Sequence, residues 1–317
     1  MRILSGLMAA AAALWAPPVA AQGVEIETAG PAGLLKGTFL AAAAPDAPVL
    51  LIIPGSGPTD RDGNSPLGVK AASYRLLAEA LAARGVSSAR VDKRGMFGSA
   101  AAGDPNKATV GGYAADIRSW VKALRGRTGA RCIWVLGHSE GALMTLAAAA
   151  HDSDGICGIV LVSGAGRRIS DVLREQLGGS PQFAPHLERA MTAIARLEAG
   201  QRVDTAGMDG VLMSLFAPQV QDYLIDLFKH DPAGLAARVR VPMLVLQGGQ
   251  DLQTGEADAR RVAAANPRAR LVLLPQVNHV LKAVAGDDRG ANAATYSDPS
   301  LPLAPGVAEA IAEFVKR

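Results

Sequence analysis

The amino-acid sequence predicts an α/β fold with a mostly parallel central sheet covered by helices on both faces. Short apolar runs such as Val49–Ile53 alternate along the chain with stretches of helical periodicity. Apolar runs without polar alternation are typical of parallel strands, because both faces of such strands are buried. One connection, between Gly166 and Met243, has roughly 70 residues, whereas strand–helix loops usually have about 2–6. This connection therefore indicates an insertion into the fold.

The chain begins with a predicted secretory signal peptide at residues 1–21. Arg2 is followed by an apolar stretch through Trp15, and the segment ends in the small residues Ala20 and Ala21. A positively charged start, an apolar centre and small residues before the cleavage site are typical of such peptides. We therefore expect a periplasmic or secreted protein without a stable membrane anchor, and a single α/β domain over residues 22–317.

Strand and helix patterns then alternate to the end of the domain. Residues 24–39 predict an antiparallel β-hairpin, and the alternation of further strands with helices predicts the parallel part of the sheet. The predicted strands are Val49–Ile53, Ser87–Asp92, Cys132–Leu136, Ile159–Ser163, Met243–Gln247 and Leu271–Leu274. The predicted helices are Ala71–Arg84, Gly112–Arg125, Glu140–Ala150, Glu256–Ala265 and Val307–Val315.

The long connection predicts a helical cap, residues 167–240, inserted between strands 6 and 7. Two apolar faces with helical spacing occur within it. They are formed by Leu187, Met191, Ile194 and Leu197, and by Leu224, Leu227 and Phe228. A cap at this point follows the carboxyl end of a strand, where α/β proteins place their sites, so it is expected to set substrate choice.

A glycine-flanked serine lies between a strand and a helix. Gly137-His138-Ser139-Glu140-Gly141 follows an apolar run and precedes a helix-prone run, which is the context of a nucleophile elbow. The elbow turn is so tight that side chains two residues before and after the serine would collide, and glycine avoids this collision. The pattern predicts Ser139 as a catalytic nucleophile.

A serine nucleophile on such an elbow is followed in the chain by an acid and then by a histidine. His279 lies in the loop after the last predicted strand, and it is the predicted general base. The other candidates fit less well, since His151 ends the elbow helix and both His186 and His230 lie in the cap region.

The predicted acid is Asp251, which lies just beyond the carboxyl end of the strand Met243–Gln247. Open α/β sheets place functional groups at this end of their strands. Asp251 would hold the imidazole of His279 in one tautomer and stabilise its charged form. Asp258 is a rival, but its helical surroundings predict a solvent-facing side chain.

Two backbone N–H groups are expected to form an oxyanion hole. One belongs to Glu140, the residue after the predicted nucleophile, and the other to the loop Pro54-Gly55-Ser56-Gly57-Pro58. Glycine lets the backbone of this loop approach a ligand closely. Ser56 is the predicted second donor, and Gly57 is the alternative.

These motifs together resemble the α/β-hydrolase superfamily. The loop PGSGPTDRDGN, residues 54–64, followed by the GHSEG elbow, is similar to a bacterial serine carboxylesterase branch that is related to peptidases of the prolyl-oligopeptidase type. The resemblance extends from about Gly37 to the end of the chain. It implies an α/β-hydrolase fold and cofactor-free hydrolysis of carboxylic esters, and Asp251 and His279 match its acid and base by position. The chain departs from the family pattern at Phe97, where glycine is usual.

Composition excludes several other classes of function. The formal net charge is +3, from 32 basic and 29 acidic residues without strong clustering, so nucleic acid is not an expected partner. No P-loop, dinucleotide fingerprint or zinc-spaced Cys/His cluster occurs, and neither a cofactor nor a metal is predicted. The two cysteines, Cys132 and Cys157, open neighbouring strands and are compatible with either a disulfide or two buried thiols.

The sequence thus predicts a serine hydrolase that acts on small-molecule esters with small or medium acyl chains. The same catalytic groups also serve peptidases, amidases and thioesterases, and these activities remain alternatives. A non-catalytic ligand-binding protein on a hydrolase scaffold is a further alternative, although such proteins usually lack a member of the triad. The oligomeric state is not predicted.

Overall fold

The computed structural model describes residues 23–317, and the predicted signal peptide lies outside the described residues. One sheet contains eight strands: β1 Val24–Ala29, β2 Leu34–Leu40, β3 Val49–Ile53, β4 Ser87–Val91, β5 Ile133–His138, β6 Ile156–Val162, β7 Met243–Gly248 and β8 Ala269–Leu274. Their order across the sheet is β1-β2-β4-β3-β5-β6-β7-β8. The pairs β1–β2 and β2–β4 are antiparallel, and all other neighbours are parallel. The predicted mostly parallel sheet is confirmed.

Helices cover both faces of this sheet. The helices are α1 Ser73–Ala82, α2 Val110–Thr128, α3 Glu140–His151, α4 Ile169–Gly178, α5 Leu187–Glu198, α6 Gly210–Phe216, α7 Gln221–Leu227, α8 Pro232–Ala236, α9 Glu256–Ala264, α10 Arg289–Ala294 and α11 Val307–Val315. Alternate residues of β3 face opposite sides, so Leu51 belongs to the apolar cluster that includes α2 and α3, whereas Leu50 belongs to the cluster that includes α1 and α11. The apolar β3 run is therefore buried from both sides, as its sequence predicts.

The cap consists of α4 to α8, and all five helices lie between β6 and β7, as predicted. Ile194 and Leu197 of α5 are fully buried, and Leu187 and Met191 of the same face pack against the core at its edge. These side chains belong to the same apolar cluster as α3, so burial of apolar surface fixes the cap to the body of the domain.

The strand β6 begins at Ile156, earlier than the predicted start at Ile159. The cause is Gly158, which interrupts the apolar run but belongs to the strand. A Cβ at this position would lie 2.3 Å from the ring of Trp134 on neighbouring β5, so a side chain does not fit. A disulfide joins Cys132 and Cys157 at the start of these two strands. It lies at the end of β5 opposite to Ser139.

The segment between His279 and the last helix contains one helix, α10, that the sequence patterns did not predict. Helix α10 forms there because Asp288 caps it, accepting hydrogen bonds from the N–H groups of Gly290 and Ala291. Asn292 of this helix donates to the carbonyl of Gln250 at 2.7 Å. This contact holds the helix beside the loop that carries Asp251.

Candidate active site

Ser139 occupies the sharp turn between β5 and α3. Its backbone has φ 54° and ψ −122°, a left-handed conformation that is strained for a residue with a side chain. A Cβ on Gly137 would lie 2.1 Å from the carbonyl oxygen of Gly141, and a Cβ on Gly141 would lie 2.5 Å from that of Ile53. Both glycines are therefore required sterically, and the turn has the geometry of a nucleophile elbow.

Asp251 and His279 are brought together from loops after β7 and β8. Nδ1 of His279 lies 3.0 Å from Oδ1 and 2.9 Å from Oδ2 of Asp251. A carboxylate can only accept a hydrogen bond, so Nδ1 of His279 carries the proton that it donates to Asp251. Nε2 is therefore left as the basic nitrogen of the ring. His279 is buried but lines the same cavity as Ser139.

Asp251 is stabilised as a carboxylate. Burial raises the pKa of this group, but the neighbouring His279 and the N–H groups of Thr254 and Gln253 have the larger combined effect. Those two N–H groups donate to Oδ1 at 3.0 and 2.8 Å. The pKa of Asp251 consequently lies well below its usual range, so the group stays charged at neutral pH.

The rival acid has a different environment. Asp258 lies in the first turn of α9, where it accepts from the N–H of Gly166 at 3.0 Å and pairs with Arg167 at 3.1 Å. It is almost fully buried, so the prediction that it faces solvent is wrong. The reason is that the first residues of the cap fold back onto α9 and bury the carboxylate. Its contacts are with these residues and not with His279.

The other histidines considered as the base lie elsewhere in the structure. His151 ends α3, and His186 and His230 lie in the cap. Nδ1 of His186 is 3.0 Å from Asp209, which makes a second His–Asp pair. His186 does not line either of the two cavities that adjoin Ser139, which are described next.

Ser139 lies between two cavities, which share Ser56, Ser139 and Gln253 in their walls. The first, here called the leaving-group cavity, has a volume of about 200 Å³ and is lined by Gly55, Ser56, Thr59, Gly63, Ser65, Leu67, Val69, Ser73, Tyr74, His138, Ser139, Gln253, His279, Val280 and Tyr296. The second, here called the cap cavity, has a volume of about 340 Å³ and is lined by Ser56, Ser139, Glu140, Ala165, Ile169, Val172, Leu173, Gln176, Leu215, Tyr223, Leu224, Leu227, Phe228, Gln253 and Thr254. The wall of the cap cavity is mainly apolar, and most of it comes from α4, α6 and α7.

The predicted oxyanion donors differ in their availability. Within residues 23–317, the N–H groups of Ser56 and Glu140 have no protein acceptor, and both residues line the cap cavity with Ser139. The N–H of Gly55 is already used, since it donates to Oη of Tyr74 at 3.1 Å. Gly57 lines neither cavity. Ser56 and Glu140 therefore fit two oxyanion donors better than Gly57 does.

The loop that carries Ser56 is braced by its polar residues. Oδ1 of Asp60 accepts from the N–H groups of Asp62 and Asn64 at 2.9 and 2.8 Å. Arg61 pairs with the buried Asp92 at 2.7 Å and thereby ties the loop to the end of β4. The loop is thus braced both by hydrogen bonds within itself and by an ion pair to the end of β4.

His138, to which no sequence pattern assigns a role, links two parts of the site. Its Nε2–H donates to the carbonyl of His279 at 2.8 Å, and its Nδ1 accepts from Oη of Tyr74 at 2.9 Å. Burial, together with the nearby His279, lowers the pKa of His138 to about 3. The ring is therefore neutral, as these two bonds require. The only signal in the sequence is its place inside the elbow motif.

Phe97, which stands where the family pattern usually has glycine, adopts a backbone conformation that favours glycine. Its φ is 46°, in the left-handed region that favours glycine, and its side chain is partly exposed. The next residue, Gly98, sits against Arg61 and Asp92, and a Cβ there would lie 2.9 Å from Oδ2 of Asp92. A residue with a side chain in this region of φ carries a strain of roughly 1–2 kcal/mol.

Comparisons with known proteins agree with this architecture. The family model described as Hydrolase_4, serine aminopeptidase S33, matches residues 67–282. Esterase EstD of Thermotoga maritima is 28% identical over 240 residues, which are 74% of this chain and 54% of that protein. The chain thus spans about half the length of this curated relative.

Solved structures match over most of the chain. Est1E of Butyrivibrio proteoclasticus with bound ferulic acid has a TM-score of 0.60 at 16% identity, and the match covers 92% of this chain and 100% of that one. The enol-lactonase of Burkholderia xenovorans LB400 has a TM-score of 0.54 at 18% identity, with the same coverages. At these identities the matches establish a shared fold.

Proposed function

The chain belongs to the serine aminopeptidase S33 family of α/β hydrolases, and on this basis we propose that it is a serine hydrolase that cleaves carboxylic esters. The similarity to esterase EstD supports ester substrates. The main support is geometric: the strained Ser139 lies where two cavities meet, and the pair of His279 and Asp251 belongs to the same site.

The proposed mechanism proceeds through an acyl-enzyme. Oγ of Ser139 attacks the ester carbonyl while Nε2 of His279 takes its proton. The N–H groups of Ser56 and Glu140 stabilise the negative oxygen of the tetrahedral intermediate. His279 then gives the proton to the leaving alcohol, and Asp251 stabilises the charged imidazolium throughout. A water molecule, deprotonated by His279, then attacks the acyl group, and His279 returns this proton to Oγ of Ser139 as the carboxylic acid product leaves.

The walls of the two cavities suggest which end of the ester each one holds. His279 must reach the leaving oxygen to protonate it, and it lines the leaving-group cavity but not the cap cavity. The alcohol is therefore proposed to occupy the leaving-group cavity, and the acyl chain the apolar cap cavity. At about 340 Å³ the cap cavity is near the lower limit of small-molecule sites, about 300–1,000 Å³, which favours small or medium acyl chains.

The proposal includes a periplasmic or secreted location. The disulfide between Cys132 and Cys157 supports an oxidising compartment, since disulfides are rare in the reducing cytosol. Within residues 23–317 no helix is long and apolar enough to cross a membrane.

The test is covalent labelling with a fluorophosphonate probe, followed by mapping of the modified peptide and assay of p-nitrophenyl esters. We expect labelling of Ser139 and hydrolysis of the esters, and loss of both in Ser139→Ala and His279→Ala. The control is His186→Ala, which breaks the second His–Asp pair. This variant should retain both the labelling of Ser139 and the hydrolysis of the esters. Labelling at another residue, or full activity of Ser139→Ala, would refute the proposal.

A substrate panel separates the alternatives. Aminoacyl p-nitroanilides and acyl thioesters are assayed beside the oxygen esters with the same enzyme. A higher kcat/KM for the anilides would mean a peptidase, and a higher value for thioesters would mean a thioesterase. Absence of both labelling and turnover in the folded wild-type protein would mean a ligand-binding protein.

A further inference from the structure

Gly55, whose carbonyl forms the peptide with Ser56, is held by two buried side chains. The N–H of Gly55 donates to Oη of Tyr74 at 3.1 Å, and the carbonyl oxygen of Gly55 accepts from Nζ of Lys93 at 2.5 Å. Gly55 also lies directly over the nucleophile, since a Cβ on it would be 3.1 Å from Cβ of Ser139. The orientation of this peptide therefore bears directly on the reaction centre.

Lys93 is an unusual residue to find at this position. Its side chain is 5% exposed and its ammonium group is 3.9 Å from Oε1 of Glu140 and 5.9 Å from the ring centroid of Tyr113. Removing an ammonium group from water is unfavourable unless strong local partners replace the water. Burial lowers the pKa of Lys93, and the charge of Glu140 acts against this shift. The short bond to the Gly55 carbonyl is its closest described interaction.

The planar trans peptide links this bond to the oxyanion hole. The carbonyl of Gly55 and the N–H of Ser56 belong to one peptide unit, and in a trans unit they point in opposite directions. If Lys93 holds the carbonyl oxygen on one side, the N–H of Ser56 must point to the other. Ser56 lines both cavities with Ser139, and its N–H has no acceptor among the described residues.

We propose that Lys93 is a positioning residue, which orients the Gly55–Ser56 peptide so that the N–H of Ser56 donates to the oxyanion. The hydrogen bond from Lys93 also polarises the same peptide and makes that N–H a stronger donor, because hydrogen bonds in a chain strengthen one another. Lys93 itself does not touch the substrate. This inference rests on the proposed function, because it assigns a role in the reaction of Ser139.

The test compares Lys93→Met with the wild type. The substitution removes the ammonium group but keeps an apolar stem of similar length. Loss of an oxyanion donor typically lowers kcat by about 10²–10³-fold, and misorientation of a donor that remains should have a smaller effect, roughly 10–100-fold. KM should change by less than about threefold, because the donor acts mainly in the transition state.

A second readout separates positioning from general destabilisation. Oγ of Ser139 adds to the carbonyl carbon of a trifluoromethyl ketone while His279 takes the proton, and the resulting hemiketal oxyanion needs the same donors. Its affinity should fall in Lys93→Met by the same factor as kcat/KM. The control is Lys282→Met, which removes another buried lysine that donates to a backbone carbonyl, that of Leu301. This variant should lower Tm without lowering the affinity for the ketone.

Chemical rescue gives an internal comparison. In Lys93→Ala, ethylammonium can enter the vacated space and donate to the Gly55 carbonyl, so kcat should rise severalfold with its concentration. Ser139→Ala should show no such rise. The inference is overturned if Lys93→Met keeps wild-type kcat and ketone affinity, or if Lys93→Ala is folded but not rescued. In either case fluorophosphonate labelling of wild-type Ser139 would leave the proposed function intact, whereas its absence would refute that function.

Discussion

His138 lies between the oxyanion loop and the loop of His279, and its neutral state keeps the two connected. It accepts from Tyr74 through Nδ1 and donates to the carbonyl of His279 through Nε2. Protonation of Nδ1 would remove the acceptor and place a charge in a buried site beside His279. The stability of the site therefore depends on pH through a residue that takes no part in the chemistry.

We predict a loss of stability in mild acid that depends on His138. Its pKa is about 3 when folded, and about 6.5 for an unperturbed histidine in the unfolded chain. Between these values the unfolded state binds more protons, so the free energy of unfolding falls as pH falls, by up to about 1.4 kcal/mol per pH unit. Urea unfolding at pH 7, 6 and 5 measures this slope.

The matched variant is His138→Gln, whose amide can still donate to the carbonyl of His279 but does not titrate. The free energy of unfolding of this variant should depend less steeply on pH over the same range. The difference in slope from the wild type should correspond to roughly one proton, or about 1.4 kcal/mol per pH unit. Asp251 does not interfere, since its lowered pKa adds stability that is lost only in stronger acid. Equal slopes for the two proteins would contradict the prediction.

The proposed site is built from two kinds of element, the loops that follow sheet strands and the helices of the cap. The elbow, the oxyanion loop and the loops of Asp251 and His279 all follow strands of the sheet, so the sheet fixes their relative positions. The wall of the cap cavity comes mainly from short helices of the insertion. Changes in these helices should therefore change the choice of acyl group and leave the chemistry unaltered.

Helix α7 offers a test of this division. Leu224 lines the cap cavity and is only partly buried, so Leu224→Trp should reduce the room for the acyl chain. Each methylene group in an apolar pocket is worth about 1–3 kcal/mol, so the ratio of kcat/KM for p-nitrophenyl hexanoate to that for the acetate should fall about tenfold or more. The measurement is the kinetics of both esters.

Leu67 provides the control for that test, since it is exposed and lines the leaving-group cavity instead. Leu67→Trp should leave the hexanoate-to-acetate ratio within about twofold of the wild-type value, because it does not line the cap cavity. The same shift in both variants would show that the acyl chain is not held by the cap.

The strands β5 and β6 carry a second element-scale prediction. The disulfide closes a loop with a sequence separation of 25 residues, and in the chain-entropy model a cross-link of this length stabilises by roughly 3.5 kcal/mol. Reduction with dithiothreitol should lower Tm and leave fluorophosphonate labelling of the folded protein unchanged, since the bridge lies at the far end of β5. A Cys132→Ala/Cys157→Ala variant should have the Tm of the reduced protein and no response to dithiothreitol.

The whole molecule is expected to mature by cleavage before Gln22. The first strand, β1, begins at Val24, shortly after the predicted cleavage site. Expression with residues 1–21 in a Gram-negative host should give a protein in the periplasm whose intact mass corresponds to a start at Gln22. A cytoplasmic protein that begins at Met1 would contradict the signal peptide.

Several features of the molecule were predictable from sequence alone because they depend on local patterns. Unbroken apolar runs predicted the parallel strands, and helical periodicity predicted the positions of α1, α2, α3, α9 and α11. The long connection predicted the cap. The two glycines around Ser139 predicted the elbow turn, because only a turn that crowds both positions requires glycine at both.

Only the tertiary structure decided how distant segments meet. Lys93 reaches the carbonyl of Gly55, 38 residues away in sequence, and the side chain of His138 meets the backbone of His279, 141 residues away. Burial of Asp258 depends in the same way on the cap folding back onto α9. Local periodicity reports which face of an element is buried, but not which group of another element lies opposite. Those contacts are set by the packing of the whole sheet with its two layers of helices.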